Sequence, residues 1–340
     1  MSLKKIGIFH SDLDGLGCSI IFEAANYYLK ENIDYKTYNC NIGIDVTNTV
    51  DKILESENIS NQTIFYFADI VPPRDTLKKL IDNKFKVKIY DHHKSNRYVL
   101  SLLPSAIIIS DPVNGHLESG TSILYKCLKW EEEAYIKSLG KKASLLKAER
   151  KLFHNELIEK FDDTVRSYDV FEWKDTNNID AKKLQVLSTL LDPNIFIKKY
   201  LKKFKNGCKE LFTTTEMEFI QPKIDNEDYV IANFTEDKVY PIDINGYKCA
   251  LIMGPCGVNF SRLGNDFLEK HPTYDLMAQF SISDMTISVR TTRDDFDLTS
   301  DLTGDISPKG HPKAAGCKLP DEIKNKILNI ITEGFCNANK

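Results

Sequence analysis

Three clusters of carboxylate and imidazole side chains stand out in the first hundred residues. Their members are His10, Asp12 and Asp14, then Asp69 alone, then Asp91, His92 and His93. Each cluster directly follows an apolar run that the pattern predicts to be a strand, at residues 5–9, 64–68 and 87–90. Because the carboxyl ends of parallel strands share one edge of an open sheet, where ligands bind, we expect the three clusters to meet there.

Several carboxylates in one place need cations, since each unpaired buried charge is costly. Aspartate and histidine without cysteine suit a hard or borderline ion such as Mn²⁺ or Mg²⁺. The clusters offer more ligands than one ion requires, so we expect two ions about 3.5–4 Å apart. Such a pair can clamp a phosphoryl oxygen and hold a bridging hydroxide for in-line attack. The alternative for any single aspartate is a turn former or helix cap.

The elements that must position these clusters follow an alternating pattern. Helical segments are predicted at residues 17–29, 45–54 and 75–82, and further strands at 35–40 and 106–109. Short apolar strands separated by helices indicate βαβ units and a mainly parallel sheet with helices on both faces. From residue 119 to 171 the pattern becomes helical, amphipathic and charged.

A second set of elements follows a lysine-rich segment, 198–209, which we interpret as a connector or an exposed helix. Strands are predicted at 229–234, 248–253, 276–282 and 285–290, and helices at 261–269 and 321–331. The predicted fold class is therefore α/β, with a smaller C-terminal α+β domain. The predicted boundaries are 1–190 for the metal-binding domain, 191–228 for a linker and 229–340 for the second domain.

Composition restricts the class of protein. The 340 residues are 42% hydrophobic and 28% charged, as in an ordinary soluble globular protein. No apolar run approaches the roughly 18–20 residues needed to cross a bilayer. The first residues also lack the features of a secretion signal, so we expect a cytoplasmic protein. Eight scattered cysteines without a CxxC pair argue against structural zinc and a disulfide framework.

The charge balance bears on the partner. Forty-nine acidic and forty-five basic residues give a formal net charge of −4. Stable binding of duplex DNA rests on many neutralised phosphates, so a broad duplex-binding surface is not expected. A short anionic substrate held by a few local cations or metal ions remains open.

Four motifs in order resemble the signature of the DHH phosphoesterases. They are HSDLDGLG at 10–17, Asp69, DHH at 91–93 and SYDVFEW at 167–173. That superfamily includes RecJ-like exonucleases, nanoRNases, cyclic-dinucleotide phosphodiesterases and manganese-dependent phosphatases. SVRTTRDDFDLTSDL and KGHPKAAG resemble the DHH-associated domain, while NFSRLGNDFLEKHPTYDLMAQFSIS and ESGTSILYKCL resemble the bacterial nanoRNase branch.

The resemblance implies a role for each motif residue. His10 and Asp12 would hold one metal ion, Asp14 and His92 a second, and Asp69 would bridge the two. Asp169 would complete one of these two ligand sets, although Asp162, Asp163 and Asp175 lie nearby. His93 would face the substrate phosphate as a donor or as acid to the leaving oxygen. Asp91 would orient a histidine rather than bind metal.

The C-terminal motif would bind substrate. Gly310 and His311 begin GHPKAAG, in which small residues allow backbone amides to approach a phosphate and Lys313 adds charge. The alternative is a tight turn before the last helix. Arg290 and Arg293 could grip a phosphate or be solvated. Ser307-Pro308-Lys309 replaces the consecutive glycines usual before this histidine, which leaves the shape of the binding loop open.

We therefore expect a two-metal phosphodiesterase, with Mn²⁺ as the first choice of metal and Mg²⁺ also compatible. Its expected substrates are short single-stranded RNA or DNA oligonucleotides, captured between the domains and hydrolysed to mononucleotides. One alternative is hydrolysis of cyclic dinucleotides, polyphosphate or pyrophosphate. Another is an inactive nucleotide-binding protein, although the full set of ligands disfavours it. No membrane partner is expected, and an oligomer is compatible with the sequence.

Overall fold

The computed structural model describes residues 3–28, 33–56, 59–138, 155–254, 256–283, 285–302, 304 and 306–337. The chain divides into two units, Met1–Pro222 and Lys223–Lys340. The division lies inside the segment 191–228 that the sequence predicts to be a linker, and most of that segment is helical. Residues 139–154, in the middle of the predicted helical stretch 119–171, lie outside the described residues.

A five-stranded parallel sheet forms the centre of the N-terminal unit. Its strands in chain order are β1 (Leu3–His10), β2 (Ile33–Cys40), β3 (Ile64–Ala68), β4 (Lys86–Asp91) and β5 (Ile107–Ile108). They lie in the order β2-β1-β3-β4-β5, with every pair parallel. This arrangement confirms the predicted parallel sheet.

Helices connect and follow these strands. They are α1 (Leu13–Tyr28), α2 (Ile44–Ser56), α3 (Arg74–Asp82), α4 (Gly120–Ser138), α5 (Glu156–Asp169), α6 (Ile179–Leu190), α7 (Pro193–Lys205) and α8 (Thr214–Ala232), with a 3₁₀ helix at Lys94–Ser101. The lysine-rich segment falls mainly in α7, which buries Tyr200 and Phe204. None of the described helices has the length and apolar character that a membrane span requires.

The two faces of the sheet have different coverings, because successive strand residues point to opposite sides. On one face, buried Ile8 and Phe67 pack with Val50 of α2 and Leu77 of α3. On the other face, the ring of Phe22 in α1 contacts those of Phe9 and Tyr66 at centroid distances of 5.5 and 5.0 Å. Helices on both faces of a parallel sheet confirm the predicted α/β class.

Strand register brings the first residue of each predicted ligand cluster to the same height in the sheet. Phe9 pairs with Ala68, and Ala68 pairs with Tyr90. The residues that come next in each strand or loop, His10, Asp69 and Asp91, therefore emerge together at the carboxyl edge of the sheet.

The C-terminal unit contains a six-stranded mixed sheet. Its strands are β6 (Tyr240–Ile244), β7 (Tyr247–Met253), β8 (Leu276–Ser281), β9 (Thr286–Arg290), β10 (Lys309–His311) and β11 (Ala314–Lys318). They lie in the order β10-β11-β9-β8-β7-β6, and only the β7–β8 pair is parallel among these strands. The helices are α9 (Phe260–Lys270) and α10 (Asp321–Asn337). This confirms the predicted smaller α+β portion.

One predicted strand, at residues 229–234, is wrong: α8 continues to Ala232. The segment is rich in strand-forming residues, but buried Ile220, Ile224 and Ile231 repeat at four and seven residues. That spacing places them on one side of a helix, and their burial outweighs the local strand preference. The short strands β6, β10 and β11 were not predicted, because each is brief and only weakly apolar.

The cysteines whose side chains are described are free thiols.

Candidate metal centre

Three predicted ligands lie together where β1 and β3 end. The Nδ1 atom of His10 is 2.8 Å from Oδ2 of Asp12 and 3.6 Å from Oδ2 of Asp69. One ligand atom from each residue lies within 4.8 Å of the others. His10 and Asp12 are partly exposed, whereas Asp69 is buried. The group thus combines a buried acid with two side chains open to solvent.

A second group lies beside the first and consists of Asp14, His92 and Asp169. The Nε2 atom of His92 is 3.4 Å from Oδ2 of Asp169 and 4.0 Å from Oδ2 of Asp14. The same nitrogen is 3.3 Å from Oδ1 of Asp69, while Oδ2 of Asp69 faces His10. Asp69 therefore stands between the two groups, with one oxygen toward each.

Asp169 is distinguished from the other acids near its motif by these contacts. It ends α5, where its carboxylate reaches His92. Asp163 instead pairs with Arg166 on the surface, and Asp162 lies buried two turns earlier in the helix.

The negative charge of the site suits bound cations. Within the described part of the chain, the buried Oδ2 atoms of Asp69 and Asp169 have no hydrogen-bond partner. Burial, together with repulsion from Asp14, raises the pKa of both carboxyl groups well above its usual range. Divalent cations would satisfy these oxygens and remove the repulsion, so the residues present fit the metal ions expected from the sequence.

The exposed side of the site behaves differently. Burial by itself would lower the pKa of His10, but hydrogen bonds and attraction to Asp12 and Asp69 outweigh it and raise the pKa to about 11. The pKa of Asp12 is lowered, because its pairing with His10 outweighs the effect of burial. The protonated His10 supplies one positive charge beside Asp12 and Asp69. To bind a metal ion, His10 would have to lose that proton.

Asp91 and His93 form a separate pair. Oδ1 of Asp91 lies 2.8 Å from Nδ1 of His93, and Oδ2 accepts a 2.5 Å hydrogen bond from Asn96. The backbone N–H of His92 also donates to Oδ1 of Asp91. Burial opposes ionisation of Asp91, but the charge of His93 and these donors hold its pKa at about 2. Asp91 also lies within ligand distance of Asp69 and His92, and both of its oxygens accept hydrogen bonds.

The start of α4 holds Asp14 in place, a contact that the sequence did not reveal. The backbone N–H groups of Gly120 and Thr121 donate to the two carboxylate oxygens of Asp14 at 2.6 and 3.0 Å. The Thr121 hydroxyl donates to the carbonyl oxygen of Asp14. These donors belong to the unpaired first turn of a helix, where the helix dipole favours a negative charge.

Gly120 also permits the close approach of α4 to Asp69. A Cβ atom at position 120 would lie 2.4 Å from Cβ and 2.8 Å from Cα of Asp69. Asp69 itself has a φ of 57°, an uncommon conformation for a residue other than glycine. The Ser-Gly-Thr start of a helix is visible in the sequence, but its pairing with residues about a hundred positions earlier is not.

The C-terminal unit carries the three predicted substrate-binding residues. His311 and Arg290 both pair with Ala314, from either side of β11, so His311, Ala314 and Arg290 form one row across the sheet. The Arg290 guanidinium donates to the Ser261 hydroxyl and lies 5.3 Å from the Phe260 ring centroid. Gly310 has a φ of 137°, and a Cβ there would lie 2.7 Å from the Ala314 carbonyl oxygen. The sequence around His311 forms a hairpin, and Lys313 contacts Asp294.

Comparisons with known proteins were made for sequence and structure. No protein-family model matches the chain. The chain is 26% identical over 323 residues to the oligoribonuclease NrnB of Bacillus subtilis (strain 168), covering 92% of this chain and 72% of that protein.

Two solved structures of the exonuclease RecJ are also similar. One, bound to manganese, has a TM-score of 0.56 at 14% identity and covers 95% of this chain and 87% of that chain. The other, from Thermus thermophilus in complex with Mn²⁺, has a TM-score of 0.48 at 12% identity and covers 95% and 50%. At this level of identity, the first likeness is one of fold.

We expect Gly120→Ala to disrupt the centre, because the added methyl group meets the backbone of Asp69. Overpacking of this kind typically costs about 1–3 kcal/mol. The variant should lose thermal stability and bind Mn²⁺ more weakly than the wild type. Calorimetric unfolding and Mn²⁺ titration would measure both effects, with Cys127→Ala in the middle of α4 as a control. Unchanged Mn²⁺ affinity in a folded Gly120→Ala protein would contradict the assigned role of Gly120.

Asp162 should make stability depend on pH. Burial is the main cause that raises its pKa to about 8, despite the nearby positive charge of Lys126. In the unfolded chain an aspartate ionises near pH 3.9. Between about pH 4 and pH 8 the unfolded state therefore binds fewer protons than the folded state, and the contribution of Asp162 to folding falls as pH rises.

Asp162→Asn removes this titration, so its free energy of unfolding relative to wild type should increase from pH 5 to pH 7.5. The slope is at most about 1.4 kcal/mol per pH unit. Urea unfolding in EDTA at the two pH values would measure it. Asp163→Asn, at a neighbouring side chain that is 61% exposed, is the matched control. A stability difference for Asp162→Asn that is the same at both pH values would refute the prediction.

Proposed function

We propose that this chain, which belongs to the DHH superfamily as its ordered motifs and its relatives indicate, is a metal-dependent phosphodiesterase. Its proposed substrates are short single-stranded oligonucleotides, which it cleaves to mononucleotides. The observation that carries the proposal is the pair of adjacent ligand groups at the carboxyl edge of the sheet, with Asp69 between them and one of its oxygens toward each. The similarity to an oligoribonuclease over most of the chain supports the choice of substrate.

The metal assignment follows the two groups. His10, Asp12 and Asp69 would hold one divalent cation, and Asp14, His92 and Asp169 a second, with Asp69 common to both. Mn²⁺ suits this mixture of imidazole and carboxylate ligands, and Mg²⁺ is the second choice. When bound, such ions supply Lewis-acid stabilisation of phosphoryl oxygens and a lowered pKa for an attacking water.

The protein's own groups would orient the site and move the proton. Asp91 fixes the ring of His93 through Nδ1, which leaves Nε2 as the ring nitrogen that would face the substrate. An N–H group at Nε2 would donate to a phosphoryl oxygen or pass its proton to the leaving oxygen. His93 would thus be the catalytic acid, and Asp91 the residue that positions it.

The C-terminal unit would contribute substrate binding. Arg290 and His311 lie in one row across β9, β11 and β10, and Gly310 gives the backbone a close approach to Ala314. A guanidinium and an imidazole on one row suit a phosphate or a nucleotide end. Phe260, beneath the Arg290 guanidinium, adds an aromatic face.

Cyclic dinucleotides, polyphosphate and pyrophosphate are the alternative substrates, since the same metal chemistry serves them. A base-dependent enzyme should favour the dinucleotide, whereas a phosphate-only enzyme should favour polyphosphate. An inactive nucleotide-binding protein should cleave none of them.

With Mn²⁺ present, purified protein should convert labelled RNA or DNA dinucleotides to mononucleotides faster than it cleaves cyclic dinucleotide or polyphosphate. EDTA should abolish turnover. Asp69→Asn should lower kcat by several orders of magnitude, because it removes the carboxylate shared by both ligand groups. Asp51→Asn, in an exposed ion pair with Lys79, is the matched control. Chromatographic separation of the products gives the readout, and an intact dinucleotide would refute the proposed function.

His93→Gln should lower kcat by roughly 10²–10⁴-fold, the usual contribution of a general acid. KM and Mn²⁺ affinity should change far less, since the proposed ligands remain. His116→Gln is the control, because His116 is exposed and contacts Glu172. Steady-state kinetics at several pH values would measure the effect, and an unchanged kcat would exclude His93 as the acid.

A further inference from the structure

The loop that carries Asp12 and Asp14 is closed by a very short neck. His10 enters the loop at the end of β1, and Gly15 leaves it in the first turn of α1. A Cβ atom on Gly15 would lie only 2.0 Å from the His10 carbonyl oxygen. The two backbone segments therefore touch, and both carbonyl groups lie at the same neck.

The side chain of Asn39 bridges this neck from the neighbouring strand. Its Nδ2 group donates to the carbonyl oxygen of His10 at 2.7 Å and to that of Gly15 at 3.3 Å. Its Oδ1 atom accepts a 3.0 Å hydrogen bond from the hydroxyl of Ser19, a residue that is fully buried. Both polar atoms of the amide are thus engaged, and Ser19 fixes which way the amide faces.

The position of Asn39 in the sheet makes this contact possible. Among the described strands, β2 lies at the edge of the sheet beside β1, and Asn39 is in register with Phe9, one residue before His10. The loop is also tied inside, where the backbone N–H of Gly15 donates to Oδ1 of Asp12. A change at Asn39 would therefore be transmitted to the loop backbone rather than to solvent.

We propose that Asn39 is a positioning residue for the metal centre, which sets the separation of Asp12 and Asp14 by clamping His10 to Gly15. The inference rests on the proposed metal site. It goes beyond that site because Asn39 lies outside every motif that supplies a ligand. The hydrogen bonds of Asn39 reach the backbone of His10 and Gly15 and the side chain of Ser19, so Asn39 would act through the loop backbone.

The distinction between positioning and plain structural support can be measured. A residue that only stabilises the fold lowers the melting temperature and leaves the Mn²⁺ affinity of the folded protein unchanged. A positioning residue changes the Mn²⁺ affinity itself. Groups that orient metal ligands typically cost 10–100-fold in metal affinity or activity when they are replaced.

Asn39→Asp is the sharpest variant, because it keeps the shape and replaces the N–H donor with an oxygen that faces two carbonyl oxygens. The dissociation constant for Mn²⁺, measured by electron paramagnetic resonance of free Mn²⁺, should rise about 10–100-fold. Circular dichroism should show a folded protein at the titration temperature.

Asn41→Asp is the matched control. It adds the same charge two residues farther on, at a side chain whose contact is with the Ser11 hydroxyl. Its Mn²⁺ affinity should not fall. If both variants weakened Mn²⁺ binding equally, the loss would not be specific to the bridge that Asn39 makes across the neck, and the proposal would be overturned.

Ser19→Ala provides a second test that does not alter Asn39. It removes the hydrogen bond that orients the amide, so the Mn²⁺ dissociation constant should rise by less than in Asn39→Asp. If Asn39→Asp does not fold, the Mn²⁺ affinity of Ser19→Ala tests the proposal instead. A Ser19→Ala protein with wild-type Mn²⁺ affinity would then overturn the proposed clamp.

The outcomes also separate this inference from the proposed function. Wild-type protein that binds no Mn²⁺ would refute the metal site and the clamp together. Wild-type protein that binds Mn²⁺ but leaves dinucleotides intact would refute the substrate assignment and leave the clamp to the affinity measurements. Folded Asn39→Asp protein with wild-type Mn²⁺ affinity would refute the clamp alone.

Discussion

The concentration of negative charge at the carboxyl edge of the N-terminal sheet is the constraint on which the site depends. Asp69 and Asp169 each hold one buried oxygen that has no hydrogen-bond donor among the described residues. Their raised pKa values express the same conflict, since burial and mutual repulsion both oppose ionisation. Bound cations would balance the negative charge of this cluster, so metal binding is the simplest explanation of the arrangement.

The surrounding scaffold makes this crowding geometrically possible. Gly120 lets the backbone of α4 approach Asp69, and the first amides of that helix satisfy both oxygens of Asp14. Asn39, on β2, donates hydrogen bonds to both carbonyl groups at the neck of the loop that carries Asp12. In these contacts the scaffold uses neutral donors, rather than basic side chains, around the acids. Backbone amides can orient the carboxylate of Asp14, and Asn39 can hold the loop backbone, without adding a positive charge that would compete with a metal ion.

The sequence predicted those parts of the molecule that depend on local pattern. The strand at 64–68 was placed at its observed bounds, and the edge where the acids gather follows from parallel pairing alone. The contact between Gly120 and Asp69 could not be predicted, because it joins distant segments and depends on the exact path of α4. Residues 229–234 show the opposite failure, in which a local preference for strand yields to the burial of Ile231 in a helix.

The tripeptide 91–93 shows how three adjacent residues come to have three different sets of partners. The Nε2 atom of His92 points at carboxylates from β3 and α5, whereas Nδ1 of His93 is bound by Asp91. Asp91 also accepts from the backbone of His92 and from Asn96, so one buried carboxylate fixes the main chain and one of the two rings. The two histidines are chemically identical in the sequence, and their partners in the structure distinguish them. The environment of each histidine in this motif therefore depends on its neighbours in the fold. Asp69 and Asp169 come from other segments and face His92, whereas His93 pairs with Asp91 of the same motif.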